Sequence, residues 1–86
     1  MRQAEFDPSA LEDMLWWVQN DRKTALRTFR LIKEVLRAPF EGAGKPEALR
    51  HELRGAWSRR ITKEHRLVYV VSDERVRFVA CRYHYS

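Results

Sequence analysis

The stretch AWSRRITKEHRLVYVVSDERVRFVACRYHY, residues 56–85, decides the fold. It divides into three runs of strand-like period, Ala56–Ile61, Arg66–Val71 and Arg75–Tyr85. Two polar turns, Thr62-Lys63-Glu64-His65 and Ser72-Asp73-Glu74, separate them. Turns this short cannot return a chain for parallel pairing, so the three runs form an antiparallel meander.

Upstream of the meander the segment PFEGAGKPE, Pro39–Glu47, holds two Pro and two Gly and reads as a loop. Before it the period is helical. Asp7-Pro8 is a helix start, with Asp7 able to cap free amides and Pro8 suited to the first helical position. Leu11, Met14, Leu15 and Val18 then follow helical spacing, beside Trp16 and Trp17. Asn20-Asp21 breaks this helix and caps the next, where Ala25, Phe29, Ile32 and Leu36 form the expected apolar stripe and Arg22, Arg27, Arg30 and Arg37 take the rest of the surface. Pro39 ends it. A minimal connection between two helices makes an antiparallel hairpin. With a short opening strand over Arg2–Phe6, the order is β-α-α-β-β-β. The fold class is α+β: an antiparallel sheet with a helical hairpin on one face, in a single domain spanning 1–86.

Composition narrows the function. Seventeen basic against twelve acidic residues leave a formal charge of +5, and thirteen of the basic residues are Arg. Arg grips phosphate through a rigid fork and stacks on bases, so the bias points to nucleic acid, although an acidic protein partner answers the same charge. The single cysteine, Cys81, excludes an internal disulfide and suits a reducing compartment. The start MRQAEFDPS has no apolar stretch of a signal peptide, and no apolar run reaches membrane-spanning length, so a soluble, cytoplasmic protein is expected.

The residues able to do chemistry lie in the second half. Between positions 45 and 66, Lys45, Arg50, Arg54, Arg59, Arg60, Lys63 and Arg66 face only Glu47, Glu52 and Glu64. Such a run is either a solvated sheet edge that resists aggregation or a surface that tracks phosphates; the low Lys share favours the second. Arg59 and Arg60, adjacent in a strand, point to opposite sides, so at most one serves any given cleft. In the terminal CRYHYS, Arg82 and His84 share one strand face, and Cys81, Tyr83 and Tyr85 the other. Arg66 opens the preceding strand, which places it beside His84 across an antiparallel hairpin, and Glu47 can close the third side from the loop. Carboxylate, guanidinium and imidazole are the groups needed to cleave RNA without a metal. One removes the 2′-OH proton, one stabilises charge on phosphorus, and one protonates the departing 5′-oxygen. His51 reads as a surface residue and His65 as part of a turn. One Cys and three scattered His offer no metal cluster, and Gly42-Ala43-Gly44 lacks the continuation of a nucleotide-binding loop, so no cofactor is expected.

Three segments, PFEGAGKPEALRHEL, WSRRITKEHRLVYVV and ACRYHY, closely resemble the Txe/YoeB toxins within the RelE superfamily of bacterial toxin–antitoxin systems, in matching order and spacing. The resemblance spans nearly the whole chain and is weakest over the first six residues. It implies a microbial-ribonuclease-like (RelE-like) fold and a ribosome-dependent mRNA endonuclease that cuts mRNA in the A site of the 70S ribosome. It also implies contacts to ribosomal RNA, a tendency to dimerise, and neutralisation by a YefM/Phd-type antitoxin whose acidic, disordered tail wraps the toxin. By motif position it assigns the base to Glu47, the phosphate-stabilising cation to Arg66 and the acid to His84, with Tyr85 supporting the site. Lys45, Arg50, Arg59, Arg60 and Arg82 are then candidate RNA contacts. Arg50 stands where the family more often has Lys, and Ser86 follows the Tyr at or near which most relatives stop. Two other readings stay open: the same fold without catalysis, as a binding module or co-repressor acting with an antitoxin, and a free-standing ribonuclease that needs no ribosome.

Overall fold

A computed structural model describes residues 1–82, so the expectations for His84 and Tyr85 lie outside the described residues. The elements are β1 (Gln3–Phe6), α1 (Pro8–Asn20), α2 (Arg22–Arg37), β2 (Glu47–Ala48), β3 (Ala56–Arg60), β4 (Arg66–Val71) and β5 (Arg75–Ala80), with one 3-10 turn at His51–Leu53. Among the described residues they build a five-stranded sheet in the order β1-β5-β4-β3-β2. The α+β class and the meander hold as expected. Two features extend the expected sheet. β1 pairs with β5 in parallel, Gln3 beside Arg75 and Phe6 beside Phe78, so the sheet is mixed. Glu47, expected as the last residue of the loop, forms with Ala48 a short antiparallel edge strand beside β3.

The helical hairpin covers one face of the sheet. Its core holds Ala10, Met14 and Trp17 from α1, Ala25, Leu31, Ile32 and Val35 from α2, and Ile61, Leu67, Tyr69, Val76, Phe78 and Cys81 from the sheet side. The expected stripes therefore hold only in part, with Met14, Ala25 and Ile32 buried. Leu11 and Leu15 are 55% and 57% exposed, and Phe29 is also outside. Trp17 turns inward instead, because its indole N–H finds a buried acceptor, the Cys81 carbonyl, at 2.7 Å. In α2, Thr28 can be buried because its hydroxyl donates to the Thr24 carbonyl one turn back.

The opposite face of the sheet has only a small apolar cluster, Ala56, Val68 and Ala80, with Leu49, Val70 and Val79 packed against it. Ser58, Arg60 and Arg66 share this face by alternation and register. No helix of the described residues is long and apolar enough to cross a membrane.

Candidate functional site

The uncovered face owes its polar centre to strand pairing. Arg60 stands opposite Arg66, Ser58 opposite Val68, and Glu47 of β2 opposite Ser58. Three residues distant in the chain thus meet across β2, β3 and β4. Arg66 Nη2 lies 3.0 Å from Glu47 Oε1, and its Nε donates to Ser58 Oγ at 2.8 Å. Ser58 is fully buried, the Arg66 side chain is 17% exposed, and Glu47 is 62% exposed. The guanidinium is therefore held in a fixed plane from below, while the carboxylate that accepts from it stands at the solvent edge. The expected juxtaposition of Glu47 with Arg66 is present; Ser58 was not anticipated. The signal for Ser58 lay in AWSRR, where it falls two residues before Arg60 and so on the same strand face.

The end of β5 runs towards this centre. Ala80 pairs with Val68, two residues beyond Arg66 on the antiparallel neighbour, across a register shift at Val68/Tyr69. The strand expected to reach Tyr85 stops at Ala80, and its physical reason is α1. Asp13 Oδ2 accepts from the Cys81 amide at 2.9 Å, and Trp17 Nε1 donates to the Cys81 carbonyl. With both main-chain groups of Cys81 bound by α1, they are spent on the helix instead of a strand partner. The Arg82 guanidinium follows, 4.1 Å over the Trp16 ring. Burial pushes the Cys81 thiol up to about 12, with the Asp13 carboxylate adding to the effect.

Arg59 corrects an expectation. It is fully buried on the helix side and reaches no surface phosphate. Its five donor hydrogens meet five acceptors. Nε donates to Tyr69 Oη, Nη1 to Glu34 Oε1 and the Ala43 carbonyl, and Nη2 to the Ala38 and Glu41 carbonyls. Tyr69 passes the chain on, donating to the Pro39 carbonyl at 2.7 Å. The Gly-rich loop is thus wrapped around a cation belonging to the protein itself. Gly42 sits at φ +119°, where a Cβ would collide with the Glu34 carboxylate. The loop then leads into Glu47 from a fixed origin, with the Gly44 carbonyl accepting from the Arg60 amide at 2.7 Å.

The remaining candidates spread along the rim. Lys45 and Arg60 are exposed and line one cleft with Arg27 and Lys63. Arg50 lines another with Leu49, His51 and Arg54. The His65 ring packs edge-on against Trp17 at 4.8 Å, and its carbonyl accepts from the Ile61 and Thr62 amides, which closes the β3–β4 turn. Among the described residues no group of three or more His, Cys, Asp or Glu side chains gathers as a metal site would require.

Residues 6–85 match the family described as the YoeB-like toxin of bacterial type II toxin–antitoxin systems. The chain belongs to that family. Toxin RelK of Mycobacterium tuberculosis is 58% identical over 85 residues, covering 99% of this chain and all of that one. The YoeB dimer of Staphylococcus aureus has 44% identity and a TM-score of 0.89, over 98% of each chain. The heterotetrameric YoeB–YefM toxin–antitoxin complex of Staphylococcus aureus has 43% identity and a TM-score of 0.87, over 99% of each. A YoeB-like toxin is therefore the frame in which the Glu47–Ser58–Arg66 arrangement has to be understood.

Proposed function

We propose that this YoeB-like toxin, a single domain over residues 1–86, is an mRNA endonuclease that acts on the translating ribosome. The observation that supports this best is the Glu47–Arg66 pair, seated on buried Ser58 at the open face of the sheet. An RNA phosphate arriving there competes with Glu47 for the Arg66 guanidinium, whose fork matches phosphate as well as carboxylate. The displaced Glu47 carboxylate then takes the ribose 2′-OH proton. The 2′-oxygen attacks phosphorus, the bond from phosphorus to the 5′-oxygen breaks, and His84 protonates that oxygen. A 2′,3′-cyclic phosphate and a free 5′-OH result. Arg66 stabilises the extra charge on phosphorus, Tyr85 supports the site, and Lys45, Arg50, Arg60 and Arg82 hold flanking RNA.

A carboxylate is a weak base at neutral pH, so alignment of the three reacting atoms has to supply much of the rate, up to roughly 7–11 kcal/mol of the barrier. A ribosome that presents mRNA in one fixed, bent path supplies it, and ribosomal RNA is the second anion met by the protein's positive surface. The protein works in the cytoplasm, where a YefM-type antitoxin restrains it and where it forms a homodimer; the YoeB dimer and the YoeB–YefM complex of Staphylococcus aureus support the last two parts of this reading.

The test is to map the 5′ ends of cellular mRNA after brief induction of the native chain and of Glu47→Gln and His84→Gln. New ends at defined positions within translated codons are expected for the native chain only. Loss of a positioned acid or base lowers cleavage by about a hundred- to ten-thousand-fold. Intact mRNA in a translating extract dosed with native protein would sink the proposal.

A further inference from the structure

At the end of β3, between α2 and the Gly-rich loop, lies a cleft of about 510 Å³ lined by Arg27, Leu31, Ala43, Gly44, Lys45, Arg60, Ile61, Thr62 and Lys63. Its four charged residues are all cations and come from four separate elements: α2, the Gly-rich loop, the end of β3 and the β3–β4 turn. Among the described residues no carboxylate lines it. Gathering like charges from distant parts of a chain that already carries a +5 surplus is unfavourable unless an anion is to be held there.

The frame around these cations is fixed. Arg27 Nη1 donates to the Ile61 carbonyl at 2.9 Å, which ties α2 to the end of β3. The Gly44 carbonyl accepts from the Arg60 amide, and Lys45 follows with φ +52°, a left-handed conformation that the tightly packed loop imposes. A Cβ at Gly44 would stand 2.9 Å from the Arg60 carbonyl oxygen, so the loop cannot close more tightly on β3 with any other residue there. Two of its residues also adjoin the candidate site: Lys45 lies two residues before Glu47, and Arg60 is the register partner of Arg66.

We propose that this cleft is a phosphate-backbone subsite for RNA, in which Arg27 and Lys63 extend the path begun by Lys45 and Arg60 away from the scissile position. The inference rests on the ribonuclease reading for its choice of anion, and an acidic peptide is the competing occupant. Adjacency of Lys45 and Arg60 to the Glu47–Arg66 centre favours RNA, because a strand held at that centre has neighbouring phosphates to place, whereas a peptide has no such constraint.

Binding is measured with 2′-O-methyl RNA, which has no 2′-OH to attack, so the result stands whether or not the protein cuts RNA. One arm uses a labelled single-stranded 2′-O-methyl oligonucleotide, and a second uses vacant 70S ribosomes. Arg27→Gln/Lys63→Gln is expected to reduce the slope of log affinity against log salt by about 1.4, which is roughly a twenty-fold loss of affinity at 0.1 M salt. Lys63→Gln alone, at an exposed turn position, should reduce it by about 0.7 and guards against a folding defect from the Arg27 change. Arg27→Lys/Lys63→Arg should keep the native slope. A loss in the first arm assigns the subsite to single-stranded RNA such as mRNA, and a loss in the second alone to ribosomal RNA; either supports the proposal. Unchanged slopes in both arms overturn it. So does a variant that keeps RNA affinity and loses affinity for polyglutamate, which would make the cleft a peptide site.

Discussion

At the scale of single residues, two arginines on neighbouring strands show how position divides identical chemistry. Arg66 faces the open side of the sheet, with one donor on Ser58 and another on the exposed Glu47 carboxylate. Ser58→Ala removes the Nε acceptor and leaves the guanidinium free to rotate. Cleavage should fall by about ten- to a hundred-fold, as outer partners of a reacting group typically show, with little change in the thermal midpoint. Single-turnover cleavage on programmed ribosomes, run beside thermal unfolding, separates the two effects. Arg59 is buried with every donor engaged, so its replacement is a question of stability. Arg59→Leu leaves five acceptors without their donor and should cost about 3–5 kcal/mol, read as a lower denaturant midpoint. The sequence showed that Arg59 and Arg60 must part company. It could not show which of them faces inward, because five acceptors, three of them loop carbonyls, make a buried guanidinium tolerable, and backbone carbonyls leave no trace in residue identity. Glu47 and Arg66 were legible because strand register brings them together, and register follows from the short turns.

At the scale of elements, both helices were found where capping and period placed them, while their inward faces were only partly legible: Met14, Ala25 and Ile32 are buried as expected, and Leu11, Leu15, Val18 and Phe29 are not. The expected stripe Leu11, Met14, Leu15 and Val18 has core spacing, and so has the set Ala10, Met14 and Trp17; only the latter is buried throughout. Hydropathy alone prefers the former. A buried acceptor for the Trp17 indole, and the shape of the sheet beneath, decide for the latter. The joint between the helices offers a cleaner test. Asp21 caps α2, accepting from the Thr24 amide at 3.1 Å and from the Thr24 hydroxyl at 2.8 Å. These bonds hold its carboxyl below the ordinary value of 3.8. A carboxylate whose folded-state value is lowered adds stability that is whole above the unfolded value and is lost as pH falls through the folded one. Asp21→Ala should therefore lower the thermal midpoint at neutral pH, and the gap from the native protein should narrow progressively below about pH 4. A gap independent of pH down to about pH 2 would remove the charged cap from the account. Asp21→Asn, which keeps a capping oxygen, should show a smaller and flatter difference.

At the scale of the whole molecule, the uncovered sheet face carries the Glu47–Arg66 pair and the basic cleft lies at the end of β3, while the helical hairpin supports the sheet from behind. The meander and the hairpin were legible from period and turn length. The parallel pairing of β1 was not, since Gln3–Phe6 is short and its partner lies some seventy residues away, so nothing local announces it. That pairing has a consequence for how the protein is made. β5 follows every other element among the described residues and yet stands inside the sheet order, between β1 and β4. It also supplies Val76 and Phe78, both fully buried beneath the hairpin. A chain cut after Glu74 should consequently show neither a cooperative melting transition nor cleavage, and a sharp transition from such a fragment would contradict this topology. A ribosome synthesising the protein thus holds a nascent chain whose first strand has no neighbour and whose core cannot close until the final strand emerges. Maturation is withheld until translation of that strand is done, a delay written into the order of the strands.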